Sequence, residues 1–269
     1  MYKAIFIDWD NTIGDWSSSE LSAQRDIYEK YHLMEFYPSF QDWFDAYMAH
    51  NTELWDKYGR SEVTKEFLQR DRFLYPIIQS LGGSEVLARS PRFMQLADDM
   101  GQDFLQLTNH YFQLLPDAKE VVEQLAQICP LTVLSNGFSS VQYYKISHSG
   151  LDKVFRHVIL SEEVGCQKPN PAIFDEALRI NNVERQHRGE ALLTKADVLM
   201  IGDGYGSDIQ GAIQAGIDQV WICPDEASLT DDTYPATYKV RTLKEVLNIV
   251  LPHESIQRLC CRSFSALPR

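Results

Sequence analysis

The sequence contains few cysteines, and they form no pattern that would cross-link the chain or bind zinc. Its five cysteines include no C-x-x-C pair, and two of them, Cys260 and Cys261, are neighbours near the end of the sequence. An odd number of irregularly spaced cysteines argues against a disulfide framework and against a zinc cluster. Because proteins without disulfides are typical of reducing compartments, we expect a cytoplasmic protein.

Long apolar runs and an excess of basic charge are also missing. No apolar run approaches the roughly 18 residues that a membrane-spanning helix needs, and a strand-like segment begins too early to leave room for a signal peptide. The 25 basic residues against 38 acidic ones give a formal charge of −13. Such a chain has no overall attraction for nucleic acid polymers or anionic membranes. We therefore expect neither partner, and any small phosphate must be held by a metal or a placed lysine.

Two patterns of hydrophobic residues follow one another along the chain. After a first apolar strand, residues 16–114 carry aromatic and apolar side chains at helical spacing, which predicts an inserted helical bundle. From about residue 115 strands and helices alternate, which predicts a parallel sheet covered on both faces. We predict an α/β core domain from residues 1–15 and 115–252, a helical domain at 16–114, and a tail at 253–269.

The predicted elements of the α/β part are short. Strands are predicted at Ala4–Ile7, Leu131–Leu134, Val158–Leu160, Val198–Ile201, Gln219–Cys223 and Tyr238–Val240. Helices are predicted at Asp117–Ile128, Ser139–Ser149, Pro171–Ile180, Ser207–Ala215 and Leu243–Leu251. The polar stretch Glu184–Lys195 predicts a surface loop. Ligands of such sheets bind beyond the carboxyl ends of the strands, so polar residues there are candidate site residues.

Two carboxylates follow the first predicted strand. Asp8 and Asp10 alternate along an extended segment, so their side chains can point the same way. One carboxylate can then attack phosphorus while the other handles the proton of the leaving group. The same residues also suit a polar turn after a strand, because Asp and Asn favour turns.

Polar residues also follow three later strands. Ser135-Asn136-Gly137 can hold an anionic oxygen through a hydroxyl and backbone N–H groups, although it also suits an ordinary turn. Lys168 supplies one cation in a proline-stiffened loop, where a plain surface lysine is the alternative. Asp203 and Asp208 offer the oxygen ligands that Mg²⁺ prefers, although Asp208 could instead cap the helix that follows.

In this order, D-x-D-x-T, Ser-Asn, Lys-Pro and G-D-x₄-D resemble the four motifs of the haloacid dehalogenase (HAD) superfamily. The resemblance covers residues 1–251 and implies a Rossmann-like parallel sheet with an inserted helical cap. It implies that Asp8 is a nucleophile that forms an aspartyl-phosphate, and that Asp10 is the general acid and base. One departure is Asn11, where glycine is commoner in the family.

The resemblance also implies the ligands of the phosphoryl group and of a metal ion. The phosphoryl group would be bound by Ser135, Asn136 and Lys168. A Mg²⁺ cofactor would be held by Asp8, the backbone carbonyl of Asp10, and Asp203, with Asp208 acting through water or through Lys168.

A narrower likeness concerns one branch of the superfamily. Residues 135–142 and 159–165 are similar to the bacterial pyrimidine 5′-nucleotidases, also called noncanonical-nucleotide house-cleaning phosphatases. Shorter similarities lie in the helical insertion, at Asn51, Leu54, Trp55, Tyr58, Gly59, Arg72 and Phe73. The likeness implies a nucleoside 5′-monophosphate as the small phosphorylated partner, with Asn51, Trp55, Tyr58 and Arg72 as substrate residues. Helical spacing alone favours the alternative that Trp55 and Tyr58 only pack the bundle.

Other activities share this scaffold. The substrate could be a sugar phosphate or phosphoglycolate, and the motifs alone do not exclude a phosphomutase. A 2-haloacid dehalogenase would displace halide from carbon, so it would need neither a second carboxylate at position 10 nor a metal ligand at position 203. A non-catalytic HAD protein would be expected to lack one chemical group, yet Asp8, Asp10, Lys168 and Asp203 are all present.

Overall fold

A computed structural model describes residues 2–223 and 225–251 of the protein. The predicted tail at 253–269, with Cys260 and Cys261, lies outside the described residues. The chain divides into two compact units: residues up to Asp15 together with those from Leu114 onward, and Trp16–Gln113. Over the described residues, none of the helices combines the length and apolar character that a bilayer crossing requires.

The unit Trp16–Gln113 is helical. Its helices are α1 (Trp16–Lys30), α2 (Phe40–Gly59), α3 (Lys65–Ser80), α4 (Glu85–Ala88) and α5 (Pro91–His110). The side chains of Ser39 and Thr64 accept hydrogen bonds from the backbone N–H groups of Asp42 and Phe67, so they cap the starts of α2 and α3. The helices pack around an aromatic core formed by Trp43, Tyr47, Phe73 and Phe104.

The other unit contains a six-stranded sheet in which every neighbouring pair is parallel. The strands are β1 (Ala4–Ile7), β2 (Leu131–Ser135), β3 (His157–Leu160), β4 (Val198–Gly202), β5 (Asp218–Ile222) and β6 (Tyr238–Val240). Their order is β3-β2-β1-β4-β5-β6. Strands β1, β2 and β4 are buried along their whole length, as expected of parallel strands covered on both faces. The predicted α/β fold is confirmed.

Helices follow the strands of this unit. They are α6 (Ala118–Ile128), α7 (Ser139–His148), α8 (Ser161–Val164), α9 (Pro171–His187), α10 (Gln210–Ala215), α11 (Glu226–Thr230) and α12 (Val246–Val250). A single π-helical turn, Tyr205–Ile209, precedes α10 where the prediction began the helix at Ser207. A 3₁₀ turn, Leu243–Glu245, likewise precedes α12.

Helix α9 is longer than predicted, and the first third of the predicted surface loop, residues 184–187, is therefore helical. It continues past Ile180 to His187 because Asn181, which looks like a helix breaker, is buried. The Nδ2 atom of Asn181 donates to the hydroxyl of Thr132 on β2 and to the carbonyl oxygen of Ala177, one turn earlier in the helix. A polar side chain thus serves as a packing contact between α9 and the sheet, which no hydrophobic periodicity reveals.

Candidate active site

The predicted site residues of the core meet at the carboxyl end of the sheet. Asp8 follows β1, Ser135 ends β2, and Asp203 follows β4. Because β1 lies between β2 and β4, these three positions are on neighbouring strands. Asp208 is added by the π-helical turn after β4. The parallel order of the sheet therefore collects side chains that are up to 200 residues apart in the sequence.

Lys168 lies between two of these carboxylates. Its Nζ atom is 2.6 Å from Oδ1 of Asp8 and 2.6 Å from Oδ1 of Asp208, and it donates to the carbonyl oxygen of Leu134 at 2.7 Å. Lys168 is 3% exposed. The contacts with Asp8 and Leu134 are hydrogen bonds and the contact with Asp208 is an ion pair, so the lysine is held rigidly against Asp8. A surface position for Lys168, the alternative left open by the sequence, is excluded.

The charges of this cluster do not balance. Burial raises the pKa of Asp8 well above its ordinary value; Lys168 lowers the pKa, while Asp208 and Asp203 raise it further. Burial, with a further contribution from Asp208, raises the pKa of Asp203 to about 7. Burial lowers the pKa of Lys168, but the Asp208 and Asp8 carboxylates outweigh it, and the net shift is upward. Three carboxylates therefore share one lysine, and a further cation would relieve their repulsion.

The same three carboxylates are arranged to hold such a cation. One oxygen each of Asp8, Asp203 and Asp208 lies within 4.8 Å of the others. All three ligands are hard oxygens, which suits Mg²⁺ better than a soft-ligand metal. Gly202 is part of this arrangement, because a Cβ atom at that position would lie 2.3 Å from Oδ2 of Asp208. The donor set and its unbalanced charge both fit the predicted Mg²⁺ ion.

Asp10 is held by two residues to which the sequence assigned no role. Its Oδ1 atom accepts from Nζ of Lys145 at 2.7 Å, and its Oδ2 atom accepts from Nε2 of Gln142 at 2.6 Å. Gln142 and Lys145 are fully buried on α7. The carboxylate of Asp10 thus faces α7, and the resemblance involves only its backbone carbonyl in metal binding.

Helix α7 carried a signal that could have revealed these two residues. Its buried positions are Val141, Gln142, Lys145 and Ile146, which form one stripe along the helix. The apolar pair defines the inward face, and the polar pair occupies the same face between them. A glutamine and a lysine on a stripe that faces the core are rarely buried without a partner, so their spacing indicates a polar target beneath the helix.

Ser135 and Asn136 have different surroundings. The Ser135 hydroxyl accepts hydrogen bonds from the backbone N–H of Gly137 at 3.1 Å and from Nε2 of Gln142 at 2.9 Å. The Asn136 side chain instead ties down the Lys168 loop: its Oδ1 accepts from the Lys168 N–H, and its Nδ2 donates to the Lys168 carbonyl. Since both ends of the Asn136 amide are used in this way, its side chain positions Lys168.

Asp203 is positioned by two further residues that sequence reasoning missed. The Thr12 hydroxyl donates to Oδ1 of Asp203 at 3.3 Å and accepts from the backbone N–H of Asp203 at 3.1 Å. The Nε1 atom of Trp221 donates to the Asp203 carbonyl oxygen at 2.9 Å. The threonine of D-x-D-x-T thus links the ends of β1 and β4.

Asn11, the departure from the family pattern, has a backbone φ of 57°. This is the left-handed region, which glycine adopts most easily and asparagine tolerates better than most other residues. The conformation explains why glycine is common at this position and why asparagine replaces it here without changing the turn.

The residues predicted in the helical unit occupy α2 and α3. Asn51 is 7% exposed and Arg72 is 2% exposed, whereas Trp55 and Tyr58 are partly exposed and meet edge to face, with ring centroids 5.8 Å apart. Within the described residues, Oδ1 of Asn51 and both Nε and Nη2 of Arg72 have no hydrogen-bond partner. The Arg72 guanidinium lies 4.4 Å from the ring centroid of Phe104.

Comparison with known proteins gives one family and several relatives. A family model described as haloacid dehalogenase-like hydrolase matches residues 2–216. The chain is 28% identical over 250 residues to the pyrimidine 5′-nucleotidase YjjG of Escherichia coli, covering 93% of this chain and 98% of YjjG. It is 34% identical over 113 residues to a glyceraldehyde 3-phosphate phosphatase of Pyrococcus abyssi, covering 42% of this chain and 43% of that protein.

A solved structure is similar over nearly the whole chain. The crystal structure of the HAD-hydrolase YfnB from Bacillus subtilis, bound to magnesium, has a TM-score of 0.72 and 25% sequence identity. The similarity covers 93% of this chain and 98% of YfnB.

Proposed function

The chain belongs to the haloacid dehalogenase-like hydrolases and is therefore an enzyme, and we propose that it is a Mg²⁺-dependent phosphomonoesterase that acts through an aspartyl-phosphate on Asp8. The observation that carries this proposal is the buried cluster in which Lys168 bridges Asp8 and Asp208 beside Asp203. Such a cluster combines a nucleophilic carboxylate with fixed positive charge where an anionic substrate must bind.

In the first half of the reaction, a carboxylate oxygen of Asp8 attacks phosphorus. The bond between phosphorus and the leaving oxygen breaks, and Asp10 gives its proton to that oxygen. Lys168 lies next to the attacking group, so its charge can offset the negative charge of the phosphoryl oxygens. The alcohol then leaves, and the phosphoryl group remains on Asp8.

In the second half, water attacks the phosphorus of the aspartyl-phosphate. Asp10 accepts a proton from this water, the bond between phosphorus and the Asp8 oxygen breaks, and inorganic phosphate is released. Asp10 is thereby protonated again and ready for the next ester. Its placement two residues after the nucleophile, at the end of the same strand, supports both roles.

The metal site belongs to Asp8, Asp203 and Asp208, with Asp208 also bound to Lys168. When bound there, Mg²⁺ would neutralise the carboxylates and the phosphoryl oxygens. Thr12 and Trp221 hold Asp203 in place for this purpose. The magnesium in the similar YfnB structure supports the choice of ion.

A dehalogenase is the competing reaction on this fold. It would release halide from carbon, where no leaving oxygen needs a proton. Such a reaction requires neither Asp10 as a general acid nor Asp203 as a metal ligand. Mg²⁺-dependent release of phosphate from an aryl phosphate, together with no release of halide from 2-chloropropionate, would support the phosphatase activity. Halide release without metal would contradict it.

Replacing Asp10 with Asn is expected to separate good leaving groups from poor ones. An alkyl phosphate needs its leaving oxygen protonated, so its kcat/KM should fall by about 10²–10⁴-fold. The aryl oxide of an activated aryl phosphate leaves without protonation, so kcat/KM for that substrate should fall by about ten times less. A series of phosphate esters with leaving groups of increasing pKa measures the difference. An equal fall in kcat/KM for every ester of the series would mean that Asp10 is not the general acid and base.

We further propose that the substrate is a pyrimidine nucleoside 5′-monophosphate. The core site recognises only the phosphoryl group, so selectivity must come from other residues. As far as the described residues go, the Arg72 guanidinium in the helical unit has two nitrogen donors without acceptors, and Asn51 has an oxygen acceptor without a donor. A pyrimidine carries carbonyl oxygens and a ring or exocyclic nitrogen that would satisfy both, and the aromatic rings of Trp55 and Tyr58 suit stacking with a base.

This proposal predicts a substrate order. UMP, dUMP and dTMP should have higher kcat/KM than sugar phosphates, glyceraldehyde 3-phosphate or phosphoglycolate, as measured by phosphate release. Trp55→Ala and Arg72→Met should each raise KM for the nucleotide by about 10-fold or more, since a stacked base or a charged hydrogen bond is worth about 1–3 kcal/mol. Both variants should barely change the turnover of a small aryl phosphate.

Arg70 provides the matched control for Arg72. It lies on the same helix, but its guanidinium is partly exposed and paired with Asp98. Arg70→Met should leave the KM for nucleotides unchanged. If the enzyme hydrolyses a sugar phosphate and no nucleotide, the nucleotide substrate proposed here is wrong, while the proposed phosphatase activity is still supported.

A further inference from the structure

Gln142 connects two residues of the proposed chemistry. Its Nε2 atom lies 2.9 Å from the hydroxyl oxygen of Ser135 and 2.6 Å from Oδ2 of Asp10. An amide NH₂ group has two hydrogens, so one can be donated to each partner. The orientation of the amide follows from Asp10, because a carboxylate accepts hydrogen bonds and would repel the carbonyl end of the glutamine.

The orientation has a cost for Gln142 itself. Its side chain is fully buried, and within the described residues its Oε1 atom has no hydrogen-bond partner. Leaving a buried acceptor without a partner costs about 1–3 kcal/mol. Orphaned polar atoms of this kind call for a specific explanation. Here the contacts of both N–H groups provide it.

Gly137 leaves space for this side chain. A Cβ atom at position 137 would lie 2.0 Å from Nε2 and 2.7 Å from Cδ of Gln142. Any residue with a side chain at position 137 would therefore displace the glutamine from both partners. The glycine of the Ser-Asn-Gly segment is thus required by the placement of Gln142.

The contacts also determine which way the Ser135 hydroxyl points. Its oxygen has two lone pairs, and two N–H groups, from Gly137 and Gln142, donate to it. With both lone pairs used, the hydroxyl can take part in a further hydrogen bond only as a donor. An anionic phosphoryl oxygen is the acceptor that such a donor fits best.

We propose that Gln142 is a positioning residue that fixes the Ser135 hydroxyl as a donor to the phosphoryl group and, with Lys145, holds the Asp10 carboxylate in place. The proposal rests on the phosphatase function proposed above and adds a single residue that couples phosphoryl binding to proton transfer. Lys145 contributes the contact to Oδ1 of Asp10, and Gln142 the contact to Oδ2. Neither residue needs to touch the substrate to act in this way.

A double-mutant cycle between Gln142 and Ser135 tests the proposal. Gln142→Met keeps the volume of the side chain and removes both N–H donors, and it should lower kcat/KM for an aryl phosphate by about 10–100-fold. In a Ser135→Ala background the same substitution should cost clearly less, because its route through Ser135 has already been removed and only the contact with Asp10 remains. Equal factors in the two backgrounds would mean that Gln142 does not act through Ser135, and the proposal would fail.

The isosteric variant Gln142→Glu reverses the polarity of the contact. A glutamate carboxylate would accept a hydrogen bond from the Ser135 hydroxyl, which would then no longer point at the phosphoryl group. It would also repel the Asp10 carboxylate, so this variant should lose about ten times more activity than Gln142→Met. The matched control is Gln219→Met, because the Gln219 side chain is also buried and, among the described residues, bonds to Ile217 and Thr237, outside the proposed site. Gln219→Met should lower the melting temperature without changing kcat/KM.

Binding of inorganic phosphate gives a readout that does not depend on turnover. In excess Mg²⁺, Gln142→Met should raise the Kd for phosphate by about 10-fold, and Gln219→Met should not change it. If wild type releases phosphate from no ester, the proposed function fails while this titration still decides the role of Gln142. An unchanged Kd in Gln142→Met, or no phosphate binding by wild type, overturns the proposal. If Gln142→Met does not fold, Gln142→Asn, whose amide is one methylene too short, replaces it.

Discussion

Replacing Asp8 with Asn is expected to lower kcat by a factor of at least about 10⁴, because an amide cannot form the aspartyl-phosphate intermediate through which the reaction runs. The substitution keeps the size and shape of the side chain. Turnover is measured by phosphate release in excess Mg²⁺, and the covalent step is measured by acid-quench trapping of label from a ³²P-substrate, which should appear on wild type and not on Asp8→Asn.

The fold of Asp8→Asn should remain intact. Ionised Asp8 is unfavourable in its buried surroundings, and Lys168 keeps its contacts with Asp208 and the Leu134 carbonyl oxygen after the substitution. In the absence of metal the variant should therefore melt at the same temperature as wild type or higher. Substantial Mg²⁺-dependent turnover by a folded Asp8→Asn variant would rule out the covalent mechanism.

Replacing Asp203 with Asn is expected to remove the response to Mg²⁺ together with at least about 10³-fold of the activity. Wild type should melt at a higher temperature when Mg²⁺ is added, since an ion at 100 times its Kd stabilises a fold by about 2.7 kcal/mol. The variant lacks one of three carboxylate ligands and should show little or no shift. Full activity of wild type in excess chelator would contradict the assignment of the metal site.

The pH dependence of the metal-free protein gives a separate check on Asp203. Its pKa is about 7 in the folded protein, against an ordinary value of 3.8. Between about pH 4 and pH 7 the unfolded chain therefore ionises Asp203 more readily than the folded protein does, and folding becomes less favourable as the pH rises. Wild type should lose stability relative to Asp203→Asn across this range, and the difference should level off above pH 7. A constant difference in melting temperature would mean that burial and the neighbouring Asp208 do not raise the pKa of Asp203.

The sequence by itself determined the positions where the chemistry lies. Continuous apolar runs such as Ala4–Ile7 and Val198–Ile201 have the length of buried parallel strands. Asp8 comes directly after the first run, and Asp203 follows the second after Gly202. Since parallel strands end at the same edge of a sheet, the pattern predicted one cluster of acidic residues near a lysine. The structure brings Asp8, Asp203, Asp208 and Lys168 together as that pattern requires.

Only the tertiary structure decided which atoms meet. The contacts of Gln142 and Lys145 with Asp10, and that of Trp221 with Asp203, join residues far apart in the sequence, and no local periodicity encodes such pairs. The same holds for Asn181, whose bond to Thr132 extends α9 beyond its predicted end. Hydrophobic spacing shows which face of an element is buried, whereas hydrogen bonds depend on distances of a few tenths of an ångström, which only the packed chain sets.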